Sequence, residues 1–389
     1  MQEQSKRNGA LALLGAAHSL NHSLFVITPP LLSMITASLG VTNFEVSAIS
    51  TLASLIYGAG ALVGGPLGDK IGEIKAIAIC LALSGLPAPL MLVSGFVNGF
   101  YVYAATLTLM AVWASLYHPI ANSFISKTFR VRVSEAMGLH GVGGTLGIVL
   151  TPTMAWLIGT YFGWPWAFIF FGALSVLLAV VFLRKAEHTG EVSHNKTRMR
   201  DVWKIRDLRR VLILNVAIGL FMKGVELFFP LYLKDNRGLD PMWASIAYTL
   251  LLAFGVPGQW IGGKTATIFG PKKVLIGTML GICIALSFLL LLPIYIVGMA
   301  VFIALYGLAF YAHQPAMNAL TAFLAPHDRR GAVFGIFFFT SFGIGAVSQL
   351  IAGYMSDLYG LDSAFYMLTL FAIVALLLSL RLPKQEKEQ

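Results

Sequence analysis

The stretch from Leu116 to Gly147, LYHPIANSFISKTFRVRVSEAMGLHGVGGTLG, decides how this chain is read. It begins as an apolar helix end bearing His118 and Asn122. A basic break follows through Lys127, Arg130 and Arg132, and then a glycine-dense helix that holds His140. A degraded copy returns from Tyr311 to Gly345 as YAHQPAMNALTAFLAPHDRRGAVFGIFFFTSFGIG. Pro119-x-x-Asn122 matches Pro315-x-x-Asn318, and the basic break matches Asp328-Arg329-Arg330. Further on, Gly138 matches Gly335 and Ala167-Phe168 matches Ala364-Phe365. One offset, drifting by a single residue, holds across two helices and a loop. A duplicated half is the reading, with function expected where the halves meet.

Working outward, the composition is that of a membrane protein. Of 389 residues, 57% are hydrophobic and 11% charged, against about 25% charged in soluble domains. Twelve apolar runs, each long enough to cross a hydrocarbon core of about 30 Å, account for most of the chain. A large soluble enzyme with an apolar core would need polar outer faces on its helices, and runs such as Val176–Phe182 and Phe371–Leu378 offer none. The expected spans are Leu11–Met34, Ser47–Gly65, Ile74–Val93, Tyr101–Ile125, Ser134–Tyr161 and Trp164–Leu183. In the second half they are Val211–Leu233, Ala244–Gly262, Lys273–Leu292, Tyr295–Phe323, Ala332–Asp357 and Ala364–Leu380.

The formal charge of +10 is organised by topology and does not call for nucleic acid. All lysines and arginines except Lys223, Lys234 and Arg237 lie in termini and loops that alternate to one side. This positive-inside pattern places both termini in the cytoplasm, and a plasma-membrane location is expected. Met1–Asn8 is short and polar and runs into a full span with no small-residue cleavage site, so a cleaved leader is not expected. Cys80 and Cys283 both fall inside spans and support no disulfide framework.

The one long polar break, residues 185–210, divides an N-terminal half (1–184) from a C-terminal half (211–389). Within it, His194–Leu208 places Val202, Ile205 and Leu208 on one helical stripe, beside Trp203 and among basic residues. An interfacial linker helix on the anionic inner leaflet is the expectation.

After the second span stands GGPLGDKIGEIK, Gly64 to Lys75. It resembles the signature loop of the major facilitator superfamily, G-x-x-x-D-[RK]-x-G-[RK]-[RK]. The matching place between spans eight and nine reads GGKTATIFGPKK, Gly262 to Lys273, with Thr267 in place of the acid. The resemblance covers the whole chain. It implies an all-α membrane protein with twelve transmembrane helices in two pseudo-symmetric six-helix halves, a secondary transporter working by alternating access. Asp69 and Lys70, with Arg130 and Arg132, are the expected cytoplasmic gate.

Within that superfamily the chain is most similar to the fosmidomycin-resistance-like exporter branch. Ala17-His18-Ser19-Leu20-Asn21-His22, Leu116-Tyr117-His118-Pro119, and Gly141 to Gly147 followed by Thr151-Pro152 carry that likeness. The branch shows H-x-x-N-D, Y-H-P-E and Q-V-G-G-N-F-G. Here His22 stands where Asp is expected, Ile120 where Glu is expected, and His140-Gly141 where Phe-Gln is expected. Two acids are lost and histidines gained, so neither substrate nor coupling carries over from the branch.

The residues also speak for themselves. His18, Asn21, His22 and Phe25 fall at i, i+3, i+4 and i+7, one face of span one. His118 and Asn122 share a face of span four, as do His313 and Met317 in span ten, with Gln314 beside them. His140 projects from a glycine-rich segment suited to close helix contact. A lone intramembrane histidine is more often a satisfied interhelical hydrogen-bonder. Five of them, mostly with polar neighbours on the same face, favour a lined cavity.

Span seven carries the only deep charges, Lys223 and Glu226. Each would cost about 2.5–3.5 kcal/mol facing lipid at a helix centre. At i, i+3 they can pair on one face as a structural couple. Alternatively, Glu226 carries a proton, with His22 second in that role, while Lys223 is its switchable partner or an anchor for an anion.

A cavity lined by His18, Asn21, His22, Phe25, Tyr117, His118, Asn122, His140, Lys223, His313 and Gln314 is biased toward positive charge. That favours an anionic or polar amphipathic compound over a lipophilic cation. His18-x-x-x-His22 also has the spacing for two imidazoles on one metal, with His118 or His140 as a third. No deep Asp, nearby cysteine or regular methionine series accompanies them, so metal transport is the second reading, on His18, His22 and His118. There is no Walker-type loop and no Ser/His/Asp set beyond chance, so an enzyme is not expected, nor a cofactor. The expectation is proton-coupled export of a small molecule by a monomer. A proton-coupled importer of an organic anion, or a receptor-like transporter homologue without transport, would fit the same residues.

Overall fold

A computed structural model describes residues 2–60, 62–95, 98–128, 133–184, 205–292, 295–326 and 330–383. Among these there is no strand. The helices that carry the architecture are α1 (Gly9–Leu39), α2 (Asn43–Gly60), α3 (Glu73–Gly95), α4 (Gly99–Ile125), α5 (Leu139–Phe162) and α6 (Trp164–Arg184). They continue as α7 (Arg206–Asp235), α8 (Pro241–Phe269), α9 (Pro271–Leu291), α10 (Ile296–Leu324), α11 (Val333–Tyr359) and α12 (Leu361–Leu380). Eleven of the twelve are long and apolar enough to cross a membrane. The exception is α2, whose Asn43, Glu45, Ser47, Ser50, Thr51 and Ser54 dilute its apolar character. Most of the expected interfacial linker helix lies outside the described residues; α7 itself begins at Arg206.

Apolar side chains cover the outside as well as the inside. Leu174, Leu177, Val181 and Leu183 on α6 are exposed, as are Leu370, Val374 and Leu377 on α12. In water such a surface would aggregate. In hydrocarbon it is the solvent-matched face, and helices satisfy their own backbone there.

The chain divides into two compact units, Met1–Thr42 with Leu52–Asn195 and Asn43–Thr51 with Lys196–Gln389. The start of α2, expected in the first half, thus packs inside the second unit. The reason is polar: the Asp357 carboxylate accepts from the backbone N–H groups of Asn43 (3.2 Å) and Phe44 (2.7 Å), and Asn43 Nδ2 donates to Ser356 Oγ. Those two N–H groups are among the orphans of a helix start, so Asp357 serves as a cap contributed from α11.

Each unit repeats the same internal devices. In the first, a Cβ on Gly143 would lie 2.3 Å from the Gly15 carbonyl oxygen, and one on Gly147 would lie 2.2 Å from that of Ser19. These i, i+4 small residues let α1 and α5 touch backbone to backbone. In the second unit a Cβ on Gly345 would lie 2.5 Å from Gly219 Cα, the same device between α7 and α11. The loops that follow α2 and α8 each turn on a glycine with positive φ, Gly72 at 85° and Gly270 at 86°, a conformation that side chains resist. A cross-helix bond also recurs. His18 Nδ1 meets the His140 carbonyl and Asn215 Nδ2 meets the Phe337 carbonyl, both pairs separated by 122 residues.

Candidate functional site

The polar groups of the first unit converge where α1, α2, α4 and α5 meet. Pro119 lacks an N–H and disfavours helical geometry before it; α4 is interrupted at Ser115 and Leu116. The Ala114 carbonyl accepts from Asn21 Nδ2 at 2.9 Å. The other end of that amide is used as well, for Tyr57 donates to Asn21 Oδ1 at 2.8 Å. Phe25 packs on Tyr57 with ring centroids 4.1 Å apart.

Four histidines gather beside this frame. His18 stacks flat on His140, with centroids 4.0 Å apart and planes 7° apart. His22 lies 4.6 Å from His18, and His118 lies 4.9 Å from His18 and 5.2 Å from His22. Gly144 makes the arrangement possible. A Cβ there would sit 2.5 Å from His18 Cε1, inside the ring's van der Waals surface.

Hydrogen bonding settles two tautomers, because a carbonyl can only accept. His18 Nδ1 lies 2.7 Å from the His140 carbonyl oxygen, so it carries the hydrogen. Its Nε2 therefore presents a lone pair, and that atom is buried without a hydrogen-bond partner among the described residues. The Tyr117 hydroxyl donates its one hydrogen to the Leu14 carbonyl at 2.9 Å. His140 Nε2, 3.0 Å from that hydroxyl, must then donate to it. Asn21, Tyr117 and His140 thus use polar atoms to join helices. The rings of His18, His22 and His118 gather so that one ligand nitrogen of each lies within 4.8 Å of the others.

The second unit holds the charges. Lys223 Nζ and Glu226 Oε2 are 2.7 Å apart, with side chains 7% and 26% exposed. The ammonium also lies 4.7 Å from the centroid of the Phe342 ring, which belongs to a widened π-turn, Phe339–Gly343. Such turns recur at functional sites. His313 turns its Nδ1 back onto the Phe310 carbonyl of its own helix, and Gln314 pairs with Gln259 at 3.2 Å. The structure therefore gathers His18, Asn21, His22, Phe25, Tyr117, His118 and His140 in one unit. Lys223, Glu226, His313 and Gln314 belong to the other. Asn122 is half-buried on α4.

At the expected gate, Lys70 is exposed at the end of the helix Gly64–Ile71. Arg130, Arg132 and the side chain of Asp69 lie outside the described residues. An ion pair that sequence reasoning missed stands close by. Lys127 Nζ lies 2.6 Å from Glu73 Oε1, whose side chain is 3% exposed, and Ser123 donates to the same oxygen at 3.4 Å. Glu73 occupies the first turn of α3, where a carboxylate complements the helix dipole. Tyr57 was missed too, although Ser47, Thr51, Ser54 and Tyr57 trace one polar stripe along α2.

Twelve helices, duplicated glycine contacts within each of two units and polar groups inside the spans are the architecture of a polytopic membrane transporter. The chain belongs to the Major Facilitator Superfamily, whose family model matches residues 11–349. It is 24% identical to the fosmidomycin resistance protein of Escherichia coli (strain K12), covering 90% of this chain and 86% of that one. It is 26% identical to the multidrug efflux pump Tap of Mycobacterium tuberculosis (strain ATCC 25618 / H37Rv), covering 87% and 84%. Among solved structures, the nucleoside transporter NupG superposes with a TM-score of 0.77 at 14% identity, covering 97% of this chain and 99% of that one. The structural likeness speaks for the fold alone.

Proposed function

We propose that this major facilitator protein is a proton-coupled exporter of a small anionic or polar amphipathic compound, working by alternating access. The observation that carries the reading is the carboxylate of Glu226. It lies within a span, a quarter exposed, and is held by an ammonium that is nearly buried. Ionisable groups inside spans mark substrate and proton pathways. Glu226 is the proton carrier in this scheme and Lys223 the partner that is shared with substrate. His22 is the second proton site.

In the first unit, His22, His118 and the outer nitrogen of His18 form the binding face. Asn21, Tyr57, Tyr117 and His140 hold it in place, and Phe25 supplies an apolar edge. Asn122 adds a polar group to this unit, and His313 and Gln314 are the candidate polar contacts of the second unit. Direction draws on two relatives, one named for fosmidomycin resistance and one for multidrug efflux. The cationic bias of the polar residues favours anions.

Reconstituted protein tests this directly. Organic anions, phosphonates among them, are first screened by thermal shift at two pH values, since a ligand of the native state raises apparent stability. A stabilising compound is then loaded into proteoliposomes. An imposed pH gradient is expected to drive its flux, and Glu226→Gln to abolish that dependence. Full gradient-driven flux in Glu226→Gln removes Glu226 as the proton carrier. No flux of any stabilising compound, with or without a gradient, favours the receptor-like reading.

A further inference from the structure

We infer that His18, His22 and His118 form a binding site for a divalent transition-metal ion of the zinc, cobalt and nickel type. One ligand nitrogen from each of the three lies within 4.8 Å of the others. In a tetrahedral site, nitrogens about 2.0–2.1 Å from the metal stand about 3.3–3.4 Å from one another. A bound ion would draw the three nitrogens to that spacing. His18 and His22 stand one turn apart on α1, and His118 reaches them from α4, so two helices share the ion.

The second observation is the state of His18. The residue is 8% exposed, its Nδ1–H is committed to the His140 carbonyl, and its Nε2 lone pair is buried and, among the described residues, unmatched. A histidine that donates one nitrogen to a backbone carbonyl and offers the other is arranged as metal ligands are, because the donated hydrogen fixes tautomer and ring direction. A buried acceptor left unmatched is destabilising. A metal ion is a partner that removes that cost.

Comparison of the two units shows that helix joining does not require a histidine at position 18. The equivalent link in the second unit is made by Asn215, whose amide donates to the Phe337 carbonyl at 2.7 Å. Imidazole adds one thing to that link, a second nitrogen on the far side of the ring. Gly144 clears the space the ring occupies, and His140 stacks behind it to hold its plane.

The donor set identifies the ion. Three imidazoles with no carboxylate suit borderline metals and not magnesium, calcium or manganese, which prefer oxygen. Three protein ligands leave a fourth position open. Because the three donors are neutral, the bound ion keeps its charge, and the open position favours an anionic ligand. The inference rests on reading this face as a binding site. Metal binding is measured without transport, so it can fail while the proposed transport stands, and the reverse.

The experiment uses full-length protein in nanodiscs, purified on a tag without histidine and stripped with chelator. Zinc is titrated by calorimetry and cobalt by its visible absorption. One equivalent per chain is expected, with a tetrahedral cobalt spectrum. His22→Ala and His118→Ala each lower zinc affinity by at least tenfold. His18→Asn is the decisive variant, since the amide keeps the link that Asn215 makes but has no lone pair on the far side. Its melting temperature is expected to match the wild type while zinc affinity falls at least tenfold. Wild-type protein that binds no stoichiometric zinc or cobalt overturns the proposal. So does binding that survives in His18→Asn and in the His22→Ala/His118→Ala double variant.

Discussion

Glu226→Gln separates the structural worth of the Lys223–Glu226 pair from its place in coupling. The amide is nearly isosteric, so packing is retained and only the negative charge leaves. Lys223 is then a nearly buried ammonium, its side chain 7% exposed, without its counter-ion. Breaking a buried pair from one side costs about 3–5 kcal/mol. Two features lower that figure here. Glu226 is 26% exposed, so part of the attraction is already screened. The Phe342 ring, 4.7 Å away, keeps a cation–π contact of about 0.5–2 kcal/mol. The expected loss is about 2–3 kcal/mol, a shift of roughly 30- to 150-fold in the folded-to-unfolded ratio. Reversible unfolding in mixed micelles reads that loss. Lys223→Met/Glu226→Gln removes both charges and is expected to return within about 1 kcal/mol of the wild type. Gradient-driven flux in proteoliposomes is expected to stay lost in both variants, because neither retains a carboxylate. Wild-type stability in Glu226→Gln, or flux regained in the double variant, would refute the reasoning.

Substitutions at four further positions test the frame around the sites. Gly143→Ala sets a methyl 2.3 Å from the Gly15 carbonyl oxygen; since backbone cannot rotate away, a loss of about 1–3 kcal/mol is expected. Gly141→Ala meets nothing within 4 Å and should gain up to about 1 kcal/mol from helix propensity, so thermal shifts of opposite sign are the readout. Glu73→Gln removes the charge paired with Lys127 and should cost about 1–3 kcal/mol, with partial recovery in Glu73→Gln/Lys127→Met; unchanged melting in the single variant would show the pair to be idle. Asp357→Ala uncaps α2 and should cost about 0.5–2 kcal/mol, and faster hydrogen exchange at the Asn43 and Phe44 amides is the specific sign of it.

Much was legible in the amino-acid order alone, because the constraints behind it are one-dimensional. A span needs a run of apolar residues of a set length, and a duplication shows as matched residues at one offset. Leu116–Gly147 and its copy carried both. Local geometry was legible too. His18 and His22 share a helix face by spacing, as do Lys223 and Glu226, and the latter pair closes within its own turn. What the order of residues could not settle was which polar atom meets which across helices. His313 and His18 look alike in sequence, as histidines within apolar spans. In the fold His313 bonds to its own helix, while His18 reaches the backbone of α5 through a gap left by Gly144. Tyr57 gained its meaning only beside Asn21, and Glu73 only beside Lys127. Those pairings depend on helix rotation and on the close approach that small residues permit, and both are properties of packed surfaces. Among the described residues the same packing leaves one buried nitrogen of His18 without a hydrogen-bond partner, and that atom now defines the most informative experiment on this protein.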